Sequence, residues 1–359
     1  MRSADLMSWG ERLEVRETET PRPGPREIRL RLSYCGVCHS DVHVRAGYFD
    51  MGGGERANYA DRGYELPITI GHEPLGVVDA VGDEVTGVSV GETYLVYPWT
   101  GCGTCRFCLR GEDNFCQAPA YIGIGRPGAY ATHLLVPDKR YLIDCRGIDP
   151  AQACTLACSG LTSYAAVRKL GDIDPQDWVA VVGCGGLGLT GISILRGLGH
   201  ERVIACDIDD EKLAVAAELG ADRTVNLSAG DGAQQLLQIS PGGVYGIVDF
   251  VGAESTAALA QPSLRSGGLA VIVGLFGGAL NVPLPIFGTR GVGFVGSKMG
   301  TLQDMREIVE LVQQGKVQPP PVQLRRLDEA NESLDDIESG RVTGRIVLDL
   351  GAECCLGAD

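Results

Sequence analysis

Trp178-Val179-Ala180-Val181-Val182-Gly183-Cys184-Gly185-Gly186-Leu187-Gly188 is the stretch on which the fold turns. Its near-continuous apolar run has the character of a parallel strand buried on both faces. Gly183 permits a tight turn, Gly185 lets a ligand approach the backbone, and Gly188 allows close packing of helix on strand. An apolar helix opens next, and free N–H groups at its N-terminus suit a pyrophosphate. A Gly-x-Gly-x-x-Gly run alone is weak, but between a strand and a helix it points to a dinucleotide. Asp207 ends the next apolar run, Val203-Ile204-Ala205-Cys206, nineteen residues beyond Gly188. A carboxylate there accepts from ribose hydroxyls and repels a 2′-phosphate, favouring NAD over NADP. Lys212 stands within reach of the same ribose, and a plain surface lysine fits it nearly as well.

Working outward, Gly246-Ile247-Val248-Asp249-Phe250-Val251 and Leu269-Ala270-Val271-Ile272-Val273 read as further buried strands, with helical stretches such as Glu211 to Leu219 between. Strands alternating with helices predict a doubly wound parallel sheet. The first third differs: Ile28 to Leu32, Leu75 to Val81 and Val88 to Val96 read as strands among Gly and Pro, so a mostly β domain is expected there. The tail carries an amphipathic helix (Met305, Ile308, Val309, Val312) and a last strand at Arg345-Ile346-Val347-Leu348, expected to return to the first domain. The predicted division is 1–159 with 299–359 against 160–298, an α/β protein of two domains.

A net charge of −15 over 359 residues argues against nucleic acid and anionic membrane surfaces as partners. Trp178 to Leu195 is uncharged and long enough to raise a membrane question, but its glycines favour a buried segment of the sheet. The N-terminus shows no apolar leader, and the odd count of 13 cysteines suits a reducing compartment, so a cytoplasmic location is expected.

Gly101-Cys102-Gly103-Thr104-Cys105-Arg106-Phe107-Cys108, with Cys116 beyond, places four thiols on one short loop. Four thiolates satisfy a tetrahedral zinc and leave no open position, so this site holds structure; a disulfide or redox pair fits less well. Cys38-His39-Ser40-Asp41-Val42-His43 and Gly71-His72-Glu73 gather soft ligands and acid–base groups. A catalytic zinc needs about three protein ligands and one open position. Cys38, His72 and Cys158, in Leu156-Ala157-Cys158-Ser159-Gly160-Leu161-Thr162, would supply them. Each alone reads as an ordinary core residue; together they point to a metal.

In number and order these motifs resemble the zinc-dependent medium-chain alcohol dehydrogenase family along essentially the whole chain. The resemblance implies a GroES-like domain, a Rossmann domain, two zincs per subunit, NAD, and hydride transfer between an alcohol and its carbonyl product. It carries over Cys38, His72 and Cys158 as catalytic-zinc ligands, Glu73 as a transient one, and Cys102, Cys105, Cys108 and Cys116 as the structural-zinc lobe. Zinc would lower the alcohol's pKa, and Ser40 would pass the proton through the ribose to the relay base His43. Asp41 would orient His72. His39 and Arg345 match pyrophosphate contacts, Thr162 and Val273 positions beside the nicotinamide, and Gly183, Gly185, Gly186, Leu187, Gly188, Asp207 and Lys212 the rest of the coenzyme site. The resemblance also implies a homodimer or homotetramer.

One departure stands out: extra residues between Cys38 and His72, falling in Gly47 to Tyr64. A Gly-rich loop with aromatics beside the zinc is expected to wall the substrate pocket or lid its entrance, the alternative being a surface excursion. Trp99 resembles a pocket-lining position. An apolar or bulky primary or secondary alcohol is the expected substrate, with a polyol, alicyclic or acyl-thioester-bearing alcohol as alternatives. A zinc-free reductase of the same superfamily would lack both metal constellations, and a non-catalytic NAD-binding protein would have lost ligands.

Overall fold

The computed structural model describes residues 1–352. Six parallel strands, Val179–Val182, Val203–Asp207, Arg223–Asn226, Val244–Asp249, Leu264–Ile272 and Gly293–Gly296, form one sheet. Numbered in chain order, they lie side by side as 3-2-1-4-5-6. The order reverses between the first and fourth strands, so the crevice at their C-terminal ends, beside Gly183 and Asp249, is where a ligand fits. Alternate side chains enter different cores. Val179 and Val181 join the large core shared with the rest of the molecule, while Ala180 and Val182 pack with Ile204, Cys206 and Val225 on the other face. Each fully buried aliphatic side chain contributes roughly 1.5–3 kcal/mol, which is why the run Val179 to Val182 tolerates no charge.

The β-rich unit is a seven-stranded mixed sheet in which Ile28–Val37 is the axis. That strand pairs antiparallel with Pro74–Val81, His133–Val136 and Arg345–Asp349. The tail therefore does return: Ile346 faces Val37, and Leu348 faces Cys35. The helix Leu302–Gln313 buries Leu302, Met305, Ile308 and Val309, and its Thr301–Asp304 capping box closes both ways. The expected strand Val88 to Val96 shortens to Thr93–Val96, because Gly87 and Gly91 adopt φ of 76° and 98° and turn the chain. No helix among the described residues is long and apolar enough to cross a membrane.

Most of residues 47–64 is not an irregular loop. Tyr48–Gly52 and Glu55–Asn58 pair antiparallel as a hairpin, and the turn is supplied by Gly52, Gly53 and Gly54, all with φ between 62° and 84°. The glycines that suggested an irregular excursion are the left-handed turn residues of a strand pair.

Candidate active site

The axis strand ends at Val37, and Cys38 caps the helix His39–Ala46 that follows. Asp41 sits at the third helical position, where its carboxylate turns back and accepts from the Cys38 N–H at 3.0 Å. The same fully buried carboxylate takes His72 Nδ1 at 2.8 Å and the Tyr130 hydroxyl at 2.9 Å. With Nδ1 engaged by an acceptor, the neutral ring keeps its proton there and leaves the Nε2 lone pair for a cation. His72 Nε2 is buried and has no hydrogen-bond partner. Gly71 holds His72 in place: its φ is 93°, and a Cβ there would lie 2.3 Å from the Tyr130 ring.

Cys158 arrives from a π-helical turn, Leu156–Gly160, set between the helices Pro150–Thr155 and Leu161–Arg168. Such wide turns re-aim side chains and recur at functional sites. Its Sγ lies 3.7 Å from that of Cys38, and the ligand atoms of Cys38, His72, Glu73 and Cys158 all fall within 4.8 Å of one another. The hydrogen bond from Cys158 draws the Cys38 thiol well down against its burial, with His72 helping, while the same bond and burial push Cys158 well up. His72 is held well above the ordinary imidazole value: burial opposes the shift, and the Asp41 carboxylate and Cys38 overcome it. An aimed, unpartnered imidazole nitrogen with two soft thiolates is a donor set zinc fits.

Glu73 is fully buried and shares the site with Arg345, whose Nη2 approaches its carboxylate at 2.5 Å. Burial pushes Glu73 up to about 7, against the pull of Arg345. The resemblance gave Arg345 to the pyrophosphate. In this structure its guanidinium rests on Glu73, and its aliphatic stem meets the coenzyme loop, where a Cβ on Gly186 would lie 2.3 Å from Arg345 Cδ. Gly36 carries no signal in the sequence; a Cβ there would sit 1.9 Å from Glu73 Oε2, so only glycine leaves room for that carboxylate. Tyr130 was missed altogether, since nothing local marks a tyrosine 89 residues from its partner Asp41.

The relay candidates lie on one short helix. Ser40 and His43 are half-buried, and the His43 ring stands between His39 at 5.3 Å and Phe49 at 5.1 Å. Burial lowers the pKa of His43, and the nearby His39 lowers it further. Trp99 is buried beside the metal cluster, its ring 5.2 Å from His72 and 5.4 Å from Tyr121.

The glycine loop 183–188 has the geometry of a phosphate cradle. Gly183 adopts φ of 87°, a Cβ on Gly188 would lie 1.8 Å from the Gly183 carbonyl, and the space off Gly185 is open. Helix Gly186–Gly197, including Leu187, starts from that loop. Asp207 fixes it, accepting from the Cys184 N–H at 2.6 Å, and its other oxygen takes Ile208 N–H at 2.7 Å. The Lys212 ammonium donates to the Gly340 carbonyl at 2.9 Å. Thr162 Oγ1 is buried without a partner, and Val273 is anchored through its N–H to the Asp249 carbonyl at 2.9 Å.

Cys102, Cys105, Cys108 and Cys116 form a second cluster, again within 4.8 Å. Backbone N–H groups of Cys102, Cys105 and Ala118 point at their sulfurs at 3.2–3.4 Å, which stabilises thiolates. The Thr104 hydroxyl, aided by backbone N–H groups, draws Cys102 down to about 6. A Cβ on Gly101 would lie 2.4 Å from Cys108 Sγ.

The family described as Alcohol dehydrogenase GroES-like domain matches residues 24–145, and that described as Zinc-binding dehydrogenase matches 186–314. NAD-dependent alcohol dehydrogenases of Sulfurisphaera tokodaii and Saccharolobus solfataricus are each 37% identical over 350 residues, 97% of this chain and 99% of theirs. The chain belongs to the zinc-dependent medium-chain alcohol dehydrogenase family. Among solved structures, this family member superposes on the alcohol dehydrogenase of the hyperthermophilic archaeon Aeropyrum pernix with a TM-score of 0.88 at 32% identity, covering 97% of this chain and 100% of that one. The acetophenone reductase of Geotrichum candidum in complex with NAD gives 0.84 at 30%, covering 97% and 96%. As a dehydrogenase it is an oxidoreductase, and its two clusters fit two zincs.

Proposed function

We propose that this dehydrogenase interconverts an alcohol and its aldehyde or ketone with NAD, at the site where Cys38, His72 and Cys158 converge. The observation that carries the reading is His72 Nε2, buried and unpartnered, aimed into a pair of thiols beside a glycine loop built for a pyrophosphate. Zinc would supply Lewis acidity to the alcohol oxygen, and the nicotinamide would accept the hydride. The chain's own residues do the rest. Asp41 fixes the His72 tautomer, and Ser40 takes the substrate's proton toward His43. Burial keeps His43 neutral and ready to accept it. Asp207 rigidifies the glycine loop while presenting a negative charge that disfavours a 2′-phosphate. Arg345 holds Glu73 within the metal cluster and reaches the coenzyme loop with its stem.

Aromatic rings at Trp99, Phe49 and Phe276 support an apolar or bulky substrate. The division at 1–159 with 299–359 and 160–298 is supported by sheet membership. A homodimer or homotetramer is supported by the edge strand Gly293–Gly296 with exposed Leu284 and Phe287 nearby, and a reducing, cytoplasmic setting by cysteines that form no disulfide among the described residues. The test follows absorbance of reduced nicotinamide against short primary, secondary, benzylic and alicyclic alcohols, before and after chelation. Chelator-sensitive turnover with NAD and little with NADP is expected. Zinc-replete protein that turns over no alcohol and binds no NAD would refute the reading.

A further inference from the structure

The hairpin Tyr48–Gly52/Glu55–Asn58 reaches across to the domain that carries the coenzyme loop, and the contact is made by bare backbone. A Cβ on Gly52 would lie 2.8–3.0 Å from the Cα, C and N atoms of Gly278. From the other side, a Cβ on Gly277 would lie 2.7 Å from the Asp50 carbonyl oxygen and 3.1 Å from its Cβ. The receiving loop is tied to the coenzyme site: Phe276 and Gly277 N–H groups donate to the carbonyls of Val251 and Gly252, and Val251 packs where a Gly183 side chain would go. At its base the hairpin is anchored by Tyr59, buried, stacked on Trp9 at 5.9 Å and tilted against Phe49 at 5.2 Å. Phe276 from one side and Phe49 from the other enclose the His39–His43 pair, at 5.0 and 5.1 Å.

We propose that this hairpin is a latch on the coenzyme cleft, and that Gly52, against Gly278, and Gly277, against Asp50, are positioning residues whose close contacts set how fast the nicotinamide coenzyme leaves. The proposal rests on the NAD reading above. Glycine is required on both sides because carbon atoms pack at about 3.5–4.0 Å, so an added methyl group pushes hairpin and loop apart by roughly 1 Å. Lid opening and product release often limit turnover in enzymes of this kind. A change at the latch therefore appears in coenzyme release and in kcat.

The experiment is stopped-flow release of NADH from the zinc-replete enzyme, with steady-state kcat and the KM for NAD alongside. Gly52→Ala and Gly277→Ala probe the contact from opposite domains, so either one decides if the other fails to fold. Gly54→Ala is the control: its φ of 84° matches the 83° of Gly52, yet no atom lies within 4 Å of its added Cβ. It carries the same left-handed strain without the contact. Release at least about fivefold faster in the two contact variants, and within about twofold of the parent in Gly54→Ala, is expected for a gate of this kind. Unchanged release in both contact variants, or equal acceleration in Gly54→Ala, overturns the latch alone. Parent enzyme that binds no NADH overturns the NAD reading, and the latch with it.

Discussion

Replacing Asp41 with asparagine keeps the shape of one side chain and changes three hydrogen bonds at the metal cluster. The carboxylate receives three donors: Cys38 N–H on Oδ2, the Tyr130 hydroxyl on Oδ2, and His72 Nδ1 on Oδ1. Asparagine offers one oxygen and one amide NH₂, so it cannot accept all three. If the oxygen stays on the side of Cys38 and Tyr130, the NH₂ meets Nδ1 and forces the ring proton onto Nε2, the atom aimed at the cluster. If it turns, two donors face an NH₂ in a fully buried place. Losing a partner of this kind costs about 10–100-fold in metal affinity, which converts to roughly 1.4–2.8 kcal/mol. The assay is competition for zinc against a fluorescent chelator, with metal content measured in parallel. Asp41→Asn should lose one zinc early and keep the second, because the four-cysteine lobe shares no hydrogen bond with Asp41. Retention of both zincs with affinities within a factor of two of the parent would refute the reasoning.

Zinc uptake by the metal-free enzyme should release protons, since Cys158 is held up by Cys38 and burial, and Glu73 is pushed to about 7 chiefly by burial. Affinity should therefore rise as pH climbs through about 7, measurable as dye-reported proton release in weak buffer. His43→Gln should reduce kcat by roughly 10²-fold or more and remove the acid limb of the pH–rate profile. That limb lies below the ordinary imidazole value because burial lowers His43; an unchanged profile would remove His43 from the relay. Gly188→Ala places a methyl 1.8 Å from the Gly183 carbonyl, so the loop must move and NAD binding by calorimetry should be abolished while both zincs remain. Normal NAD affinity in that variant would argue that the loop does not cradle the coenzyme.

Much of the site was legible because its chemistry is local in the chain. The four lobe cysteines need only a short loop to meet, so their spacing announces the cluster before any fold is known. The glycine run is likewise readable, because turn, backbone approach and helix packing each demand a small residue at a set distance from a strand. Cys38, His72 and Cys158 were harder. Their residue types suggested ligands, but it was their order along the chain, matched to a family, that joined them.

Other features had no signal to read. Arg345 and Glu73 are 272 residues apart and meet because the last strand pairs with the axis strand that leads to Cys38. The glycines of 52–54 read as part of a loop in one dimension and proved to be a hairpin turn, since a left-handed φ serves a loop and a turn equally well.

What the sequence alone determined is the set of groups that can ligate, cradle and shuttle, together with the alternation of strand and helix that carries them. Those follow from side-chain chemistry and short-range periodicity, which are properties of neighbours in the chain. The tertiary structure alone decided that Asp41 is shared by Cys38, His72 and Tyr130, that Gly36 makes room for Glu73, and that Gly52 meets Gly278 and Gly277 meets Asp50 across the cleft. These are close approaches between segments far apart in sequence, and excluded volume is felt only once the backbone has brought them together.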